Sequence, residues 1–224
     1  MNMHHIIITG ASRGIGHATA LLYASMGWNI SICSRHCDYQ MTQTQDAITA
    51  AGGQYFSFCG DMGNAEDAEE FLAKAVQTFG TPEILVNNAG ISHIGLLQDM
   101  TPMQWDDIIR TNLSSVFYTS RVIIPYFLQE KHGRIINVSS VWGSVGASTE
   151  VAYSTTKGGI NAFTKALAKE LAPSGIPVNA VACGMIDTSM NSFLDPEELA
   201  AVIDEIPAGR AGTPQEAAAL IRQV

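Results

Sequence analysis

The sequence has no apolar run long enough to span a membrane or to form a signal peptide. It is also poor in basic residues, with 12 Lys and Arg against 21 Asp and Glu, and the basic positions are scattered along the chain. Because a nucleic-acid-binding surface needs a cluster of basic residues, no nucleic-acid partner is expected. These absences predict a soluble, cytoplasmic protein without a membrane partner.

Cysteine is scarce as well. The four residues form no CxxC pair and have no histidine at zinc-ligand spacing: Cys33, Cys37, Cys59 and Cys183. We therefore expect reduced thiols and no metal site. The chain also lacks internal repeats, low-complexity tracts and linkers, and its 224 residues, 46% of them hydrophobic, suffice for one domain over residues 1–224.

What the sequence does contain is an alternation of short apolar runs and longer segments with helical periodicity. The predicted strands are Ile6–Thr9, Asn29–Ser34, Tyr55–Cys59, Ile84–Asn87, Arg134–Ser139 and Val178–Ala182. The predicted helices include Ile15–Met26, Ala65–Phe79, Pro102–Glu130 and Ala152–Leu171. Near-continuous apolar strands that alternate with helices indicate an α/β fold, a doubly wound, Rossmann-like parallel sheet covered on both faces. Ligands of such a sheet bind beyond the carboxyl ends of its strands.

The first strand is followed there by the segment TGASRGIG, with Gly10, Gly14 and Gly16. Glycines between a strand and a helix let the backbone and the helix N-terminus approach a pyrophosphate, which indicates a dinucleotide site. A simple tight turn is the alternative. The spacing differs from GxGxxG, and no Gly-Lys-Ser/Thr follows to make a nucleoside-triphosphate loop.

The end of the second strand bears on which dinucleotide binds. Arg35 stands there, and Arg13 in the glycine turn supplies a second guanidinium, a combination suited to the 2′-phosphate of NADP(H). An acidic residue at this place would instead hold the ribose hydroxyl of NAD(H), and Asp38 is close enough in sequence to keep that alternative open.

The segment YSTTK places Tyr153 and Lys157 four residues apart, hence on one face of a helix. Such a pair also arises by chance. With the other motifs, however, the chain resembles the short-chain dehydrogenase/reductase family from Ile6 to about Gly212. The motifs follow in order: TGASRGIG, NNAG, TNLSSVF, NVSS, YSTTK and GMIDT. Within the family they look most like those of β-ketoacyl-[acyl carrier protein] reductases.

The resemblance implies a metal-free carbonyl reduction with NADP(H). Ser140 would bind the substrate oxygen, Tyr153 would exchange its proton and Lys157 would hold the nicotinamide ribose, while Asn112 would anchor a water linked to Lys157. An ammonium about 5 Å from the phenol would also favour the phenolate by roughly 3 kcal/mol at an effective dielectric constant of about 20, so a pKa of Tyr153 near working pH is expected.

The remaining positions follow from the same resemblance. Asp61 would bind the adenine, Asn87 would line the cleft, and Ile186 and Thr188 would meet the carboxamide. The full set of expected cofactor-binding residues is Gly10, Ser12, Arg13, Gly14, Ile15, Gly16, Arg35, Asp61, Met62, Asn87, Ala89, Gly90, Tyr153, Lys157, Ile186 and Thr188. The expected substrate pocket is formed by Ser140, Tyr153, His93, Trp142, Val145, Glu150, Met185, Met190 and Phe193.

The resemblance further implies a ketone or acyl-thioester substrate, an acyl carrier protein as partner, a role in fatty acid biosynthesis and a homotetramer or homodimer. Residues 187–207 are expected to form a helical lid. Three departures stand out: Cys183 replaces a usual proline, the acidic chain offers little positive surface for an acidic carrier protein, and a further strand usual in the family is not expected in this sequence.

Other functions remain as alternatives: a dehydrogenase of alcohols, steroids or sugars, or a catalytically idle cofactor-binding scaffold. The presence of all four residues Asn112, Ser140, Tyr153 and Lys157 argues against the idle scaffold. A serine hydrolase is disfavoured because no GxSxG surrounds Ser140.

Overall fold

A computed structural model describes residues 4–224, and its centre is one parallel sheet. The strands are β1 (His5–Thr9), β2 (Asn29–Ser34), β3 (Gln54–Cys59), β4 (Ile84–Asn87), β5 (Arg134–Ser140) and β6 (Val178–Cys183). Their order across the sheet is β3-β2-β1-β4-β5-β6. The predicted α/β class is therefore confirmed, with strand limits that differ from the prediction by one residue at most.

Helices cover the sheet, as the alternation of the sequence predicts. They are α1 (Gly14–Ala24), α2 (Tyr39–Ala50), α3 (Ala65–Phe79), α4 (Pro102–Ile109), α5 (Ser115–Glu130), α6 (Trp142–Val145), α7 (Val151–Leu171), α8 (Pro196–Asp204) and α9 (Pro214–Gln223). Short 3₁₀ turns occupy Leu97–Asp99, Ala172–Ser174 and Ser189–Asn191. Within residues 4–224, no helix combines the length and the apolar character needed to cross a membrane.

The side chains of β1 show why both faces must be covered. Ile6 and Ile8 pack into the cluster that contains Ile30 and Ile221, whereas Ile7 packs into the opposite cluster with Phe71 and Phe127. Successive residues of a strand point to opposite faces, so one apolar strand supplies two cores. All three isoleucines are fully buried.

The single helix predicted over Pro102–Glu130 is wrong in its middle. The structure divides this span into α4 and α5, with a π-helical segment at Arg110–Ser114 between them. A π turn contains one residue more than an α turn and therefore rotates the side chains that it carries. This segment places Asn112, discussed below.

From β1 to β3 the strands are added on one side of the sheet, and from β4 to β6 they are added on the other side. Strands β2 and β3 lie on one side of β1, and β4, β5 and β6 lie on the other. The loops that follow β1 and β4 consequently separate at the carboxyl edge and open a crevice. The candidate site occupies this crevice.

Candidate active site

The glycine turn after β1 has the close packing that a phosphate-binding turn requires. Gly10 has a φ of +65°, and a Cβ atom there would lie 2.7 Å from Ala89 Cα. A Cβ atom at Gly16 would lie 2.5 Å from the carbonyl oxygen of Gly10. Only glycine fits at either position, because these neighbours are backbone atoms. Gly16 thus closes the turn from behind, while the rest of the turn faces the crevice.

The crevice contains a cavity of about 730 Å³ along the carboxyl edge of the sheet. Many of the predicted cofactor residues line it: Gly10, Ser12, Arg13, Gly14, Ile15, Arg35, Asp61, Met62, Ala89, Gly90 and Thr188. Backbone groups at the start of α1, two guanidiniums and a cavity of this volume fit a dinucleotide with its pyrophosphate at the helix N-terminus.

Asn88 and Thr9 hold the glycine turn, and the sequence reasoning missed both. Asn88 Nδ2 donates to the carbonyl oxygens of Thr9 at 3.0 Å and of Gly10 at 2.8 Å. Thr9 Oγ1 accepts from the backbone amides of Asn88 and Ala89, each at 3.0 Å. These bonds tie the end of β4 to the end of β1. The NNAG motif contains the signal for this contact in its second asparagine, Asn88, whereas the prediction used the first.

The structure does not bring the predicted Asn87 to the cavity. Its side chain is buried and accepts from Thr119 Oγ1 at 2.6 Å and donates to Asn137 Oδ1 at 2.9 Å. Asn137 in turn donates to Thr164 Oγ1 at 2.9 Å. Since adjacent residues face opposite ways at the end of a strand, Asn87 serves this polar network inside the fold while Asn88 reaches the turn.

The end of the cavity beyond β2 and β3, which we call the adenosine end, is rich in charge. Arg35 Nη2 donates to Thr111 Oγ1 at 2.5 Å and lies 3.5 Å from a carboxylate oxygen of Asp61 and of Asp107. Arg13 Nη1 donates to Gln40 Oε1 at 3.1 Å. Both arginines therefore face the cavity as expected for a 2′-phosphate.

Asp38 lines the same part of the cavity. Its carboxylate accepts from the backbone amide of Met41 at 3.2 Å and caps the start of α2. A capping carboxylate is already partly satisfied, which reduces its capacity to hold a ribose hydroxyl.

The opposite end, which we call the catalytic end, brings together Ser140, Tyr153 and Lys157. They line a second cavity of about 340 Å³. Ser140 ends β5, while Tyr153 and Lys157 lie one turn apart on α7. The ammonium of Lys157 lies 5.5 Å from the centroid of the Tyr153 ring. The two cavities share several lining residues, including Ile15, Asn88, Gly90 and Thr188.

The expected lowering of the Tyr153 pKa is wrong for this structure. Burial of the phenol raises its pKa to about 12, against a hydrogen bond with Ser140 that lowers it, and Glu150 and Cys183 raise it further. Loss of water penalises the phenolate more than the neighbouring groups stabilise it. The expectation was based on the spacing of Tyr153 and Lys157, which contains no information about burial.

Lys157 is itself strongly affected by burial. Its side chain is only 4% exposed, and Nζ donates to the carbonyl oxygen of Val138 at 2.8 Å. Burial lowers its pKa to about 8, and the nearby Cys183 opposes this shift. Lys157 therefore remains mostly an ammonium at pH 7, although its preference for the charged form is smaller than that of an exposed lysine.

Asn112 is fully buried in the π-helical segment. Its Oδ1 accepts from the amide of Ile91 at 2.8 Å, and its Nδ2 donates to Ile91 O at 2.8 Å and to Thr156 Oγ1 at 3.2 Å. A Cβ atom at Gly90 would lie 3.3 Å from Asn112 Oδ1 and 3.8 Å from Lys157 Nζ. Gly90 thus lies close to both side chains, and the expected water between Asn112 and Lys157 stays a prediction.

The structure brings most of the predicted substrate-pocket residues together. Trp142, Glu150, Met185, Met190 and Phe193 line the smaller cavity, together with Ile186. His93 lines the larger one. Val145 lines neither and is 75% exposed.

Glu150 accepts from Ser92 Oγ at 3.1 Å, and burial raises the pKa of its carboxyl group.

The expected lid over residues 187–207 contains the 3₁₀ turn at Ser189–Asn191 and α8. Among residues 4–224, no group of three or more His, Cys, Asp or Glu side chains is arranged to hold a metal ion.

Known proteins with similar sequences belong to one family. The sequence model of the short chain dehydrogenase family matches residues 4–199. A 3-oxoacyl-[acyl-carrier-protein] reductase FabG of Vibrio cholerae is 38% identical, over 96% of this chain and 86% of the relative. The protein of that name in Staphylococcus aureus is 38% identical over 92% and 84% of the two chains. A 3-oxoacyl-[acyl-carrier-protein] reductase of Synechocystis is 38% identical over 96% and 86%.

Proposed function

This chain belongs to the short-chain dehydrogenase/reductase family, and we propose that it uses NADP(H) to reduce the ketone of a 3-oxoacyl thioester to a secondary alcohol. The observation that supports this most is that the two cavities share part of their lining. The glycine turn lines one, Ser140, Tyr153 and Lys157 line the other, and Gly90 and Thr188 line both. A dinucleotide laid along the first cavity would bring its reactive end to the second.

The bound nicotinamide would supply the hydride that reduces the carbonyl carbon. In this proposal the residues of the chain do the rest. Ser140 donates a hydrogen bond to the carbonyl oxygen, and Tyr153 delivers its phenolic proton to that oxygen as negative charge develops there. Lys157 holds the ribose hydroxyls of the cofactor, and Asn112 fixes the backbone of Ile91 beside them.

Tyr153 is the proton donor of the proposed reduction. With a pKa of about 12, the phenol keeps its proton at neutral pH and can act as an acid.

The assignment of NADP(H) rests on Arg13 and Arg35, which line the adenosine end. Two guanidiniums can form charge-assisted hydrogen bonds with a phosphate. Each such bond is about twice as strong as a hydrogen bond between neutral groups. Asp38, the residue that would favour NAD(H), caps α2 with its carboxylate. NADP(H) is accordingly the cofactor that we propose.

The thioester substrate is proposed from the relatives, whose printed names specify 3-oxoacyl-[acyl-carrier-protein]. The catalytic-end cavity suits an acyl chain, since Trp142, Met185, Met190 and Phe193 contribute apolar surface. An acyl carrier protein is the proposed bearer of the thioester. A homotetramer or homodimer is proposed as well, and apolar side chains left exposed on α4 and α5, such as Met103 and Phe117, are compatible with it.

The test follows oxidation of NADPH by absorbance with a short 3-oxoacyl thioester, beside simple ketones, steroids and sugars. We expect the thioester to give the highest kcat/KM, with NADPH preferred to NADH. A higher kcat/KM for a steroid or sugar would overturn the substrate class. Absence of turnover with every ketone, despite tight NADPH binding, would overturn the reductase and favour a cofactor-binding scaffold.

A further inference from the structure

Arg110 lies behind the adenosine end and does not line the cavity. It is the first residue of the π-helical segment, and its stem packs against Gly63, where a Cβ atom would lie 2.9 Å from Arg110 Cγ. No motif of the sequence singled it out. Its guanidinium nevertheless contacts two of the acids that surround Arg35.

The distances show which arginine those acids prefer. Arg110 lies 3.1 Å from a carboxylate oxygen of Asp61 and 2.9 Å from one of Asp107. Arg35 lies 3.5 Å from each of the same two carboxylates. The shorter, charge-assisted contacts are the stronger ones, so Arg110 takes the larger share of both acids.

Arg35 is oriented from a different side. Its Nη2 donates to Thr111 Oγ1 at 2.5 Å, and Thr111 follows Arg110 directly in the π-helical segment. Among residues 4–224, no acid makes a short contact with the other guanidinium donors of Arg35, so these donors can bind a phosphate. Removal of Arg110 would leave Asp61 and Asp107 to pull on Arg35 and to repel the phosphate.

A third carboxylate lies next to Asp61. Asp67 accepts from the backbone amide of Asp61 at 2.7 Å. Arg13 and Arg35 line this end of the cavity, and the acids oppose the attraction of both for a phosphate. A further cation that offsets these acids, such as Arg110, therefore favours the binding of a phosphate dianion.

We propose that Arg110 is a positioning residue for cofactor selectivity: it neutralises Asp61 and Asp107 so that Arg35 stays free to bind the 2′-phosphate of NADP(H). This inference rests on the proposed use of NADP(H). Arg110 itself does not contact the cofactor in this account. Its effect reaches the phosphate through the two carboxylates and Arg35.

Calorimetric titration of NADPH and NADH into the wild type and three variants tests the assignment. Arg110→Gln should raise the Kd for NADPH by about fivefold to tenfold, the size expected for one uncompensated charge nearby, and change that for NADH by less than about twofold. Asp107→Asn removes an acid next to Arg35 and should lower the Kd for NADPH. The double variant should return close to the wild type, because the two charge changes cancel.

Arg121→Gln is the matched control. Arg121 lies on α5, carries the same charge and pairs loosely with Glu69 at 3.9 Å, so its removal should leave both affinities unchanged. Circular dichroism melts accompany each variant. If Arg110→Gln alone does not fold, the double variant compared with Asp107→Asn decides the question, because NADPH should bind more weakly once Arg110 is also removed.

The outcomes separate this inference from the proposed function. An NADPH-selective wild type whose selectivity is unchanged by Arg110→Gln and Asp107→Asn would overturn the role of Arg110 alone. A wild type that binds both cofactors equally would overturn the inference together with the NADP(H) assignment. Shifts of the expected sign in a protein that reduces no ketone would support the role of Arg110 and refute the reductase.

Discussion

The two ends of the crevice place polar groups in opposite surroundings. At the adenosine end the side chains of Arg35, Asp61 and Arg110 are 34%, 21% and 47% exposed, and each charge has a counterion. At the catalytic end Lys157 and Asn112 are buried, and Lys157 is held by a backbone carbonyl. Charges that stay partly exposed keep much of their hydration, whereas the burial of Lys157 has a desolvation cost that lowers its pKa.

The difference teaches what each end can contribute. Charges that remain in contact with water provide binding selectivity that salt can screen. Buried groups provide fixed geometry and a set protonation state, which are what a proton transfer requires. We expect substitutions at the adenosine end to change cofactor affinity and those at the catalytic end to change turnover.

The largest effect is expected for Tyr153→Phe. Loss of the proton donor should reduce kcat by about 10³-fold, within the range typical of general acids, and leave the Kd for NADPH nearly unchanged. Steady-state kinetics and calorimetry measure the two quantities. Tyr55→Phe on the edge strand β3 is the matched control and should behave as wild type. Activity within tenfold of the wild type would exclude Tyr153 as the acid.

The second prediction concerns the cost of burying Lys157. Its pKa is lowered from 10.5 to about 8, so between these pH values the unfolded chain binds a proton that the folded protein does not. The free energy of unfolding therefore gains from Lys157 as pH rises from 8 to 10.5, by about 3 kcal/mol at most. Lys157→Met should lack this gain.

The contribution of Lys157 to the free energy of unfolding must be measured as a difference between the wild type and Lys157→Met. Burial raises the pKa values of Cys33 and Tyr153, and these groups lower stability above pH 9 and pH 10 respectively. Urea unfolding of the wild type and of Lys157→Met at a series of pH values removes this shared contribution. Lys165→Met, an exposed lysine on the same helix, should show no such difference. A wild type that parallels Lys157→Met would mean that Lys157 is not desolvated.

Third in size is Arg35→Ala. Removal of a guanidinium that hydrogen-bonds a phosphate should weaken NADPH binding by about tenfold to a hundredfold and NADH binding by less than about twofold. Calorimetric titration with both cofactors gives the ratio, with Arg121→Ala as the control for loss of one surface charge. Equal losses for NADPH and NADH would show that Arg35 does not read the 2′-phosphate.

Part of the fold and part of the site could be predicted from the sequence. The strands and the glycine turn were predictable because apolar runs and glycine spacing are local properties, and both determine the fold at β1 and α1. The choice between Asn87 and Asn88 was not predictable, since it depends on the direction in which each side chain points at the end of β4. The spacing of Tyr153 and Lys157 located the pair but could not give its pKa values, because burial is set by distant segments.

The same limit applies to the adenosine end. Arg35, Asp61 and Arg110 come from the loops after β2 and β3 and from the π-helical segment, so their contacts join residues far apart in the chain. The π turn itself left no trace in the hydrophobic pattern of Pro102–Glu130, because one added residue shifts the periodicity by less than a turn. Both features became visible only in three dimensions.

The smallest expected effect is that of salt, and it compares the two ends within one unmodified protein. Raising NaCl from about 0.1 M to about 1 M shortens the Debye length from about 10 Å to about 3 Å. The half-exposed arginines should then hold NADPH about fivefold more weakly, and NADH should lose less because it lacks the 2′-phosphate. The buried groups of the catalytic end are poorly screened, so kcat at saturating NADPH should change by less than about twofold. Equal salt dependence of kcat and of NADPH affinity would contradict the division between a screened binding end and a desolvated catalytic end.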